Sequence, residues 1–379
     1  MTQMETRFIE PLDVLILRGN KLFGDPGSYG ESVIPPWPSV AAGAIRSRML
    51  ADDQVDLNAF ARGQVQHPTL GTPANPGDFT LAGFHLARRM ADGSLERLMA
   101  PPADLSIVEN HAGKPVARRA EALRLAAGLA SSAPLPLHAV LAETTRAKTT
   151  SGYWLTESGW ALYLHGELPT AHDLVKSSDL WRVDERIGVG LAATTRSAEE
   201  GKLFSTQAIA FLPGVGFLAS VHGAMPPADG LLRLGGDGRG AAIHSIEYNV
   251  PRPDYVAISE SRRCRLILST PGLFTQGWLP NGIGQEGNGN QFNLCGVRGR
   301  LVGAAVPRAE TISGWDLATW SPKPAQRVAP TGSVYWLDEL DATPEALERL
   351  ARQGLWSETC EDDARRAEGF NRLALAVWR

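Results

Sequence analysis

Two groups of side chains near the start of the chain are spaced to hold phosphate. The stretch "FIEPLDVLILRGNKLFG" (residues 8–24) sets Arg18, Asn20 and Lys21 directly after an apolar run, and "PPWPSVAAGAIRSRML" (residues 35–50) sets Gly43 three residues before Arg46. A guanidinium makes paired hydrogen bonds to phosphate oxygens, an ammonium neutralises a neighbouring charge, and a glycine lets a phosphate chain lie close to the backbone. The same residues have an ordinary reading, in which Gly43 permits tight packing of a helix on a sheet and Arg46 is a surface residue. Both readings stand on the residues alone. Arg48 falls, by helical angle, nearer the apolar face of Val40, Ala44 and Ile45 and is the weaker candidate.

No other chemistry has a comparable pattern. The phosphate loop G-x-x-x-x-G-K-[ST], H-E-x-x-H and G-x-S-x-G do not occur, and the eight histidines are scattered without metal-ligand spacing. "LGGDGRG" (234–240) and "NGIGQEGNGN" (281–290) do not fit a dinucleotide fingerprint and read as turns. Cys264, Cys295 and Cys360 lie far apart and read as reduced thiols. The residues therefore select no catalytic set, no metal site and no cofactor.

The elements that must position these groups are mainly short strands. "RFIEPLDVLIL" reads as a strand broken at Pro11, and a helix over 40–50 follows with Ser39 as its N-cap. "ERIGVGL" and "KLFSTQAIAFL" read as strands flanking the polar loop "AATTRSAEEG", whose one cation is Arg196. "TESGWALYLHG" forms a helix capped by Thr156, and "TPEALERLARQG" forms one between Thr343 and Gly354. Residues 101–150 have no clean period beyond a short helical stretch near "RAEALRLAAGLA" and read as a long insertion. Strands mixed with a few helices in each half point to an α+β fold, and the split βαβ unit is the simplest candidate.

At 379 residues two domains are expected, divided here at 1–225 and 226–379. The net charge of −4 is unevenly spread. Residues 338–368 are strongly acidic, whereas the stretch from Lys114 to Lys148 carries Arg118, Arg119, Arg124 and Arg146 against only Glu121 and Glu143. No apolar window is long enough to span a bilayer and the first residues lack a signal-peptide core, so a cytoplasmic location is expected.

Seven segments carry a family likeness. The two N-terminal stretches above, "TSGYWLTESGWALYLHGELP", "DERIGVGLAATTRSAEEGKLFS", "LLRLGGDGRGAA", "LSTPGLFTQGWLP" and "PKPAQRVAPTGSVYWL" follow the order and approximate spacing of the third Cmr subunit of type III-B CRISPR effector complexes, in the RAMP superfamily. The resemblance covers nearly the whole chain. It implies two ferredoxin-like (RRM-like) domains and no catalytic centre. It also implies a place at the 5′ repeat-derived tag of the CRISPR RNA (crRNA), with the large cyclase-like subunit and the RNA-cleaving backbone subunit as partners. An alternative is a CRISPR-repeat RNA processing endonuclease, because the superfamily contains such enzymes. Within this frame the candidate RNA contacts are Arg18, Asn20, Lys21, Gly43, Arg46, Lys148 and Arg196. The chain departs from the family in "RRAEGFNRLALAVW", where Asn371 stands at a position often held by a second glycine.

Overall fold

Strand β1 (Glu5–Pro11) buries Phe8 and Ile9 on both of its faces and is the centre of the first sheet. The computed structural model describes residues 4–17, 19, 29–30, 32–126, 128–143, 148–284, 290–316 and 321–379. It is a mixed α/β protein in which strands dominate and helices are few and short. Two compact units are built from interleaved pieces of chain: Met1–Leu95, Ser178–Glu247 and Thr311–Gln326 form the first, and Glu96–Ser177, Tyr248–Glu310 and Arg327–Arg379 form the second. This grouping crosses the linear division at residue 225.

In the first unit, helix α1 (Pro38–Asp52) follows β1, and strands β2 (Thr80–Arg89), β3 (Trp181–Leu191), β4 (Ala198–Phe211), β5 (Val215–His222), β6 (Asp229–Arg233) and β7 (Gly240–Ile246) complete the framework. The sheet order is β6-β7-β1-β5-β2, every neighbouring pair antiparallel. Helix α1 starts two residues before the expected start. Pro38 occupies its first turn and Trp37 the N-cap without a side-chain bond, because proline already has helical φ and needs no amide partner there. Ala41, Ala42, Ala44, Ile45, Met49 and Leu50 are buried, and α1 lies against β2 and β6.

In the second unit β8 (Cys264–Leu268), β9 (Val297–Ala305), β10 (Val334–Asp341), helix α2 (Pro344–Gln353) and β11 (Leu373–Val377) form the framework, with sheet order β9-β10-β8-β11, again antiparallel. Thr343 caps α2 through the Ala346 N–H, and Gly354, at φ +81°, ends it. One sheet face packs Leu266, Leu337 and Leu375 with Leu347 and Leu350 of α2. The other packs Ile267, Trp336 and Ala376 with Trp160 and Tyr163 of the helix Glu157–Leu164. Residues 96–177 therefore belong to the second unit because they supply the apolar cover for its second face.

The described residues of 101–150 include two strand pairs. Leu105–Glu109 pairs with Pro115–Arg119, and Glu121–Leu123 with His138–Val140. Among the described residues the helix expected near "RAEALRLAAGLA" does not form: Glu121–Leu123 is a strand with Ala122 buried, and cross-strand pairing overrides helix propensity. The acidic C-terminal run is partly neutralised by neighbours, with Arg298 2.8 Å from Asp341, Arg300 3.6 Å from Glu339 and Arg252 3.5 Å from Glu348.

Candidate nucleic-acid interface

The first unit fixes the base from which the Arg18–Lys21 loop departs. Leu15 exchanges backbone hydrogen bonds with Ile209 of β4, the Gly236 N–H donates to the Ile16 carbonyl at 2.8 Å, and the Val33 N–H donates to the Leu17 carbonyl at 2.9 Å. Leu17 and Val33 are thus held side by side, while the Ser32 hydroxyl donates to the Gln207 carbonyl at 2.7 Å. Arg18, Asn20 and Lys21 themselves lie outside the described residues. The glycine-rich loop 234–240, read from sequence as a turn, stitches this base together. A Cβ on Gly235 would come 2.8 Å from the Ile16 carbonyl, and Arg239 is 2.7 Å from Asp13. The Val14 N–H, with Arg239 beside it, holds the Asp13 carboxyl below its ordinary value.

Helix α1 begins five residues after Val33. Gly43 is exposed, and a Cβ there would meet nothing within 4 Å. Tight packing on the sheet is thus not its role. Arg46 is half-buried, its guanidinium 5.9 Å from the Phe79 ring centroid, which steadies a cation next to the open glycine face. Arg48 is committed to structure, donating to Asp52 at 2.7 Å and to the Leu231 carbonyl at 2.6 Å, so it ties α1 to β6. Arg196 is exposed in the β3–β4 turn at φ +54°. Lys148 is exposed in the second unit, next to Thr149, whose hydroxyl pairs with that of Ser106 at 3.1 Å. The structure therefore brings Gly43 and Arg46 together on one face, places Arg196 on a separate arm of the same unit, and assigns Lys148 to the other unit.

Charge segregation between residues 114 and 148 is weaker than composition implies. Arg118 pairs with Glu143, and Arg119 is 3.1 Å from Glu121. Lys114, Arg124 and Lys148 remain exposed, and Arg146 is outside the described residues. Sequence reading passed over Arg233, which is exposed at the start of the glycine-rich loop, its Cδ 3.8 Å from a Cβ position on Gly238. Its signal was available: an arginine beside glycines that need positive φ.

The other ionisable clusters are built into the packing. The Tyr153 hydroxyl donates to Glu109 at 2.6 Å with Lys176 2.9 Å from the same carboxylate, and burial together with that bond pushes the phenol up, so it stays a donor. Cys264 is fully buried and its thiol is pushed up to about 12 by desolvation. Among the described residues no group of three or more His, Cys, Asp or Glu is placed to hold a metal ion, and no helix is long and apolar enough to cross a membrane.

The departure at Asn371 has a structural explanation. Asn371 is fully buried at φ +60°, a region asparagine tolerates better than other non-glycine residues. Its side chain accepts from the Leu273 N–H at 2.6 Å and donates to the carbonyls of Leu273 at 3.0 Å and Leu355 at 3.2 Å. Arg365 is 2.9 Å from Glu368, Arg366 is 2.8 Å from Asp363, and the buried Arg372 donates to the Arg352 carbonyl in the last turn of α2 at 2.7 Å. This segment is an internal clamp.

No curated protein sequence matches the chain. A chain of the type III-B Cmr-beta complex bound to cognate target RNA and AMPPnP, solved by cryo-EM, is 15% identical over 98% of this chain and 98% of that chain, with a TM-score of 0.51, and shares the fold. A chain of Cmr-beta bound to cognate target RNA is 14% identical over 97% and 96% of the two chains, with a TM-score of 0.46. The sequence profile of the CRISPR-associated protein family Cas_Cmr3 matches residues 7–378, and the chain belongs to that family.

Proposed function

We propose that this protein is a non-catalytic subunit of a type III-B CRISPR ribonucleoprotein that holds the 5′ repeat-derived tag of the crRNA and bridges the large cyclase-like subunit to the RNA-cleaving backbone subunit. The observation that carries this reading is the open Gly43–Arg46 face of α1, a helix that begins five residues after the Leu17–Val33 backbone bond, in a chain of this family. Single-stranded RNA is held by phosphate contacts together with bases splayed onto protein, and an arginine steadied over an aromatic ring beside a bare glycine suits the first of these.

Each unit is read as a ferredoxin-like domain. In chain order the central strands of the first unit are β1, β2, β5 and β7, and of the second β8, β9, β10 and β11. Both sheets place the fourth strand beside the first, then the third, then the second. Each unit keeps one crossover helix, α1 between its first and second strands or α2 between its third and fourth. That arrangement is the split βαβ pattern with one helix replaced.

Arg46→Ala is expected to weaken association of tag RNA with the reconstituted complex and to reduce the salt slope of log K by about 0.7, one single-strand phosphate contact. Arg46→Lys should recover part of the affinity, since charge is kept while the paired geometry is lost. RNA titrations at several salt concentrations check this, and a wild-type affinity and slope for Arg46→Ala would make Arg46 a surface residue. Incubation of the purified chain with repeat RNA should yield no cleavage, with or without divalent metal. Cutting that disappears on replacement of a single histidine would establish the endonuclease instead.

A further inference from the structure

One side of helix α1 meets residues 67–79 at both ends of that segment. Arg46 and Asp53 are two helical turns apart, about 10 Å along the axis, a spacing that returns the chain to the same face. The Arg46 guanidinium stands 5.9 Å from the Phe79 ring centroid. Asp53 caps the helix C-terminus, its N–H donating to the Met49 carbonyl at 3.0 Å, and its carboxylate lies 2.8 Å from Nε2 of His67.

The hydrogen bonds of the His67 ring fix its tautomer. The residue is 4% accessible, and Nδ1 accepts from the Thr69 N–H at 3.1 Å and the Leu70 N–H at 3.0 Å. A ring nitrogen that accepts from two amides carries no proton, so the hydrogen is on Nε2 and is donated to Asp53. The carboxylate is otherwise badly placed. It sits at a helix C-terminus, where the macrodipole disfavours an anion, and the last turn of α1 holds no basic residue.

Between its two ends the segment is stiff. His67 and Gly71 exchange both backbone hydrogen bonds at 2.9 Å, and the Thr72 N–H donates to the Asn75 carbonyl at 2.9 Å. A Cβ on Gly71 would fall 2.3 Å from the Asn75 carbonyl oxygen, and one on Gly77 2.2 Å from that of Thr69, so the two halves of the loop meet backbone to backbone. Phe79 follows at once, buried, and Thr80 opens β2 opposite His222. A close-packed loop of this kind does not absorb a displacement of His67 but passes it to Phe79 and the guanidinium beside it.

We infer that His67 is a positioning residue for the RNA contact: its ring braces the end of α1 through Asp53 and so sets Arg46 against Phe79 beside the open face at Gly43. The inference rests on the assignment of an RNA phosphate to Arg46. A binding side chain is effective when the groups behind it are themselves locked, and this brace supplies that support. His67→Asn keeps an oxygen where Nδ1 accepts from the two loop amides but does not reach Asp53, so the loop folds without the brace. Asp53→Ala removes the brace from a side chain that is 61% accessible, and Asp53→Asn restores an acceptor for Nε2–H.

In the reconstituted complex, His67→Asn and Asp53→Ala should each weaken tag RNA binding about threefold or more, within the coupling range of residues that share partners. Asp53→Asn should recover wild-type affinity. Neither loss should appear in an Arg46→Ala background, because a brace that acts through Arg46 has nothing left to position. In the purified chain the Arg46 δ-methylene NMR resonances, identified by their absence from Arg46→Ala, should carry a ring-current shift from Phe79 in the wild type and in Asp53→Asn. They should move toward the position of an exposed arginine in His67→Asn and Asp53→Ala. Unmoved resonances in those two variants, or undiminished losses of affinity in the Arg46→Ala background, would overturn the inference. An Arg46→Ala complex with wild-type affinity would defeat the proposed RNA contact alone, and the resonances would still decide the brace.

Discussion

Arg265→Leu is expected to lower unfolding free energy by about 3–5 kcal/mol at neutral pH, the range for breaking a buried ion pair from one side. Arg265 lies in β8 and is 2% accessible, with its guanidinium 2.8 Å from Asp104, also 2% accessible, and stacked 4.3 Å from the Tyr163 ring centroid. It also donates to the carbonyls of Tyr163 at 3.0 Å and Val377 at 3.1 Å, and the Tyr163 hydroxyl donates to Asp104 at 2.7 Å. One side chain thereby joins the central strand to the helix and loop that cover the second sheet face.

Burial holds the Asp104 carboxyl above its ordinary value, and Arg265 is the main influence pulling it back down. Removing the guanidinium raises it further. A carboxyl whose folded-state pKa exceeds its unfolded value contributes stability at low pH that is lost as pH rises through the folded pKa. The deficit of Arg265→Leu should therefore be smallest in acid and grow toward neutrality. Adding Asp104→Asn should restore much of the loss, because no charge is then left in the core. Denaturant titrations between acid and neutral pH distinguish these outcomes. A pH-independent deficit that the double variant does not relieve would trace the effect to lost packing alone.

Asn371→Ala is expected to cost about 3–5 kcal/mol, from two sources. Alanine at φ +60° carries roughly 1–2 kcal/mol of backbone strain, and the loss of the amide leaves the Leu273 N–H and carbonyl without their partner, at roughly 1–3 kcal/mol for each buried group, while the Leu355 carbonyl still accepts from Asn281 at 3.1 Å. Asn371→Gly removes the same hydrogen bonds but adopts the conformation without strain, so it should be the milder change by about 1 kcal/mol or more. Melting temperatures of the two variants give the order. Equal losses would mean that the left-handed backbone costs nothing here.

Much of the architecture was legible because it depends on short-range rules. Thr156 and Thr343 cap helices where the sequence places them, since a hydroxyl three residues before a free N–H needs no distant partner. Strands β3 and β4 flank the polar turn at Arg196, and Gly354 ends α2, for equally local reasons. The family was legible too, in seven segments whose order the profile match over residues 7–378 supports.

What the tertiary structure decided lies in contacts between distant residues. "RAEALRLAAGLA" has helical propensity of a few tenths of a kcal/mol per residue, which pairing of Glu121–Leu123 with His138–Val140 and burial of Ala122 outweigh. Residues 96–177 join the second unit because Trp160 and Tyr163 cover Trp336, a pairing across more than 170 residues of sequence. The two readings of Gly43 could be separated only by whether a Cβ there meets a neighbour, and it meets none. Asn371, which looked like a lost glycine, proved to be a buried clamp whose partners are 16 and 98 positions away. The sequence by itself determined where hydrogen bonds and caps form within a few residues, and with them the type of each element. Only the fold decided which face of each element is buried, because burial is a property of what arrives from elsewhere in the chain.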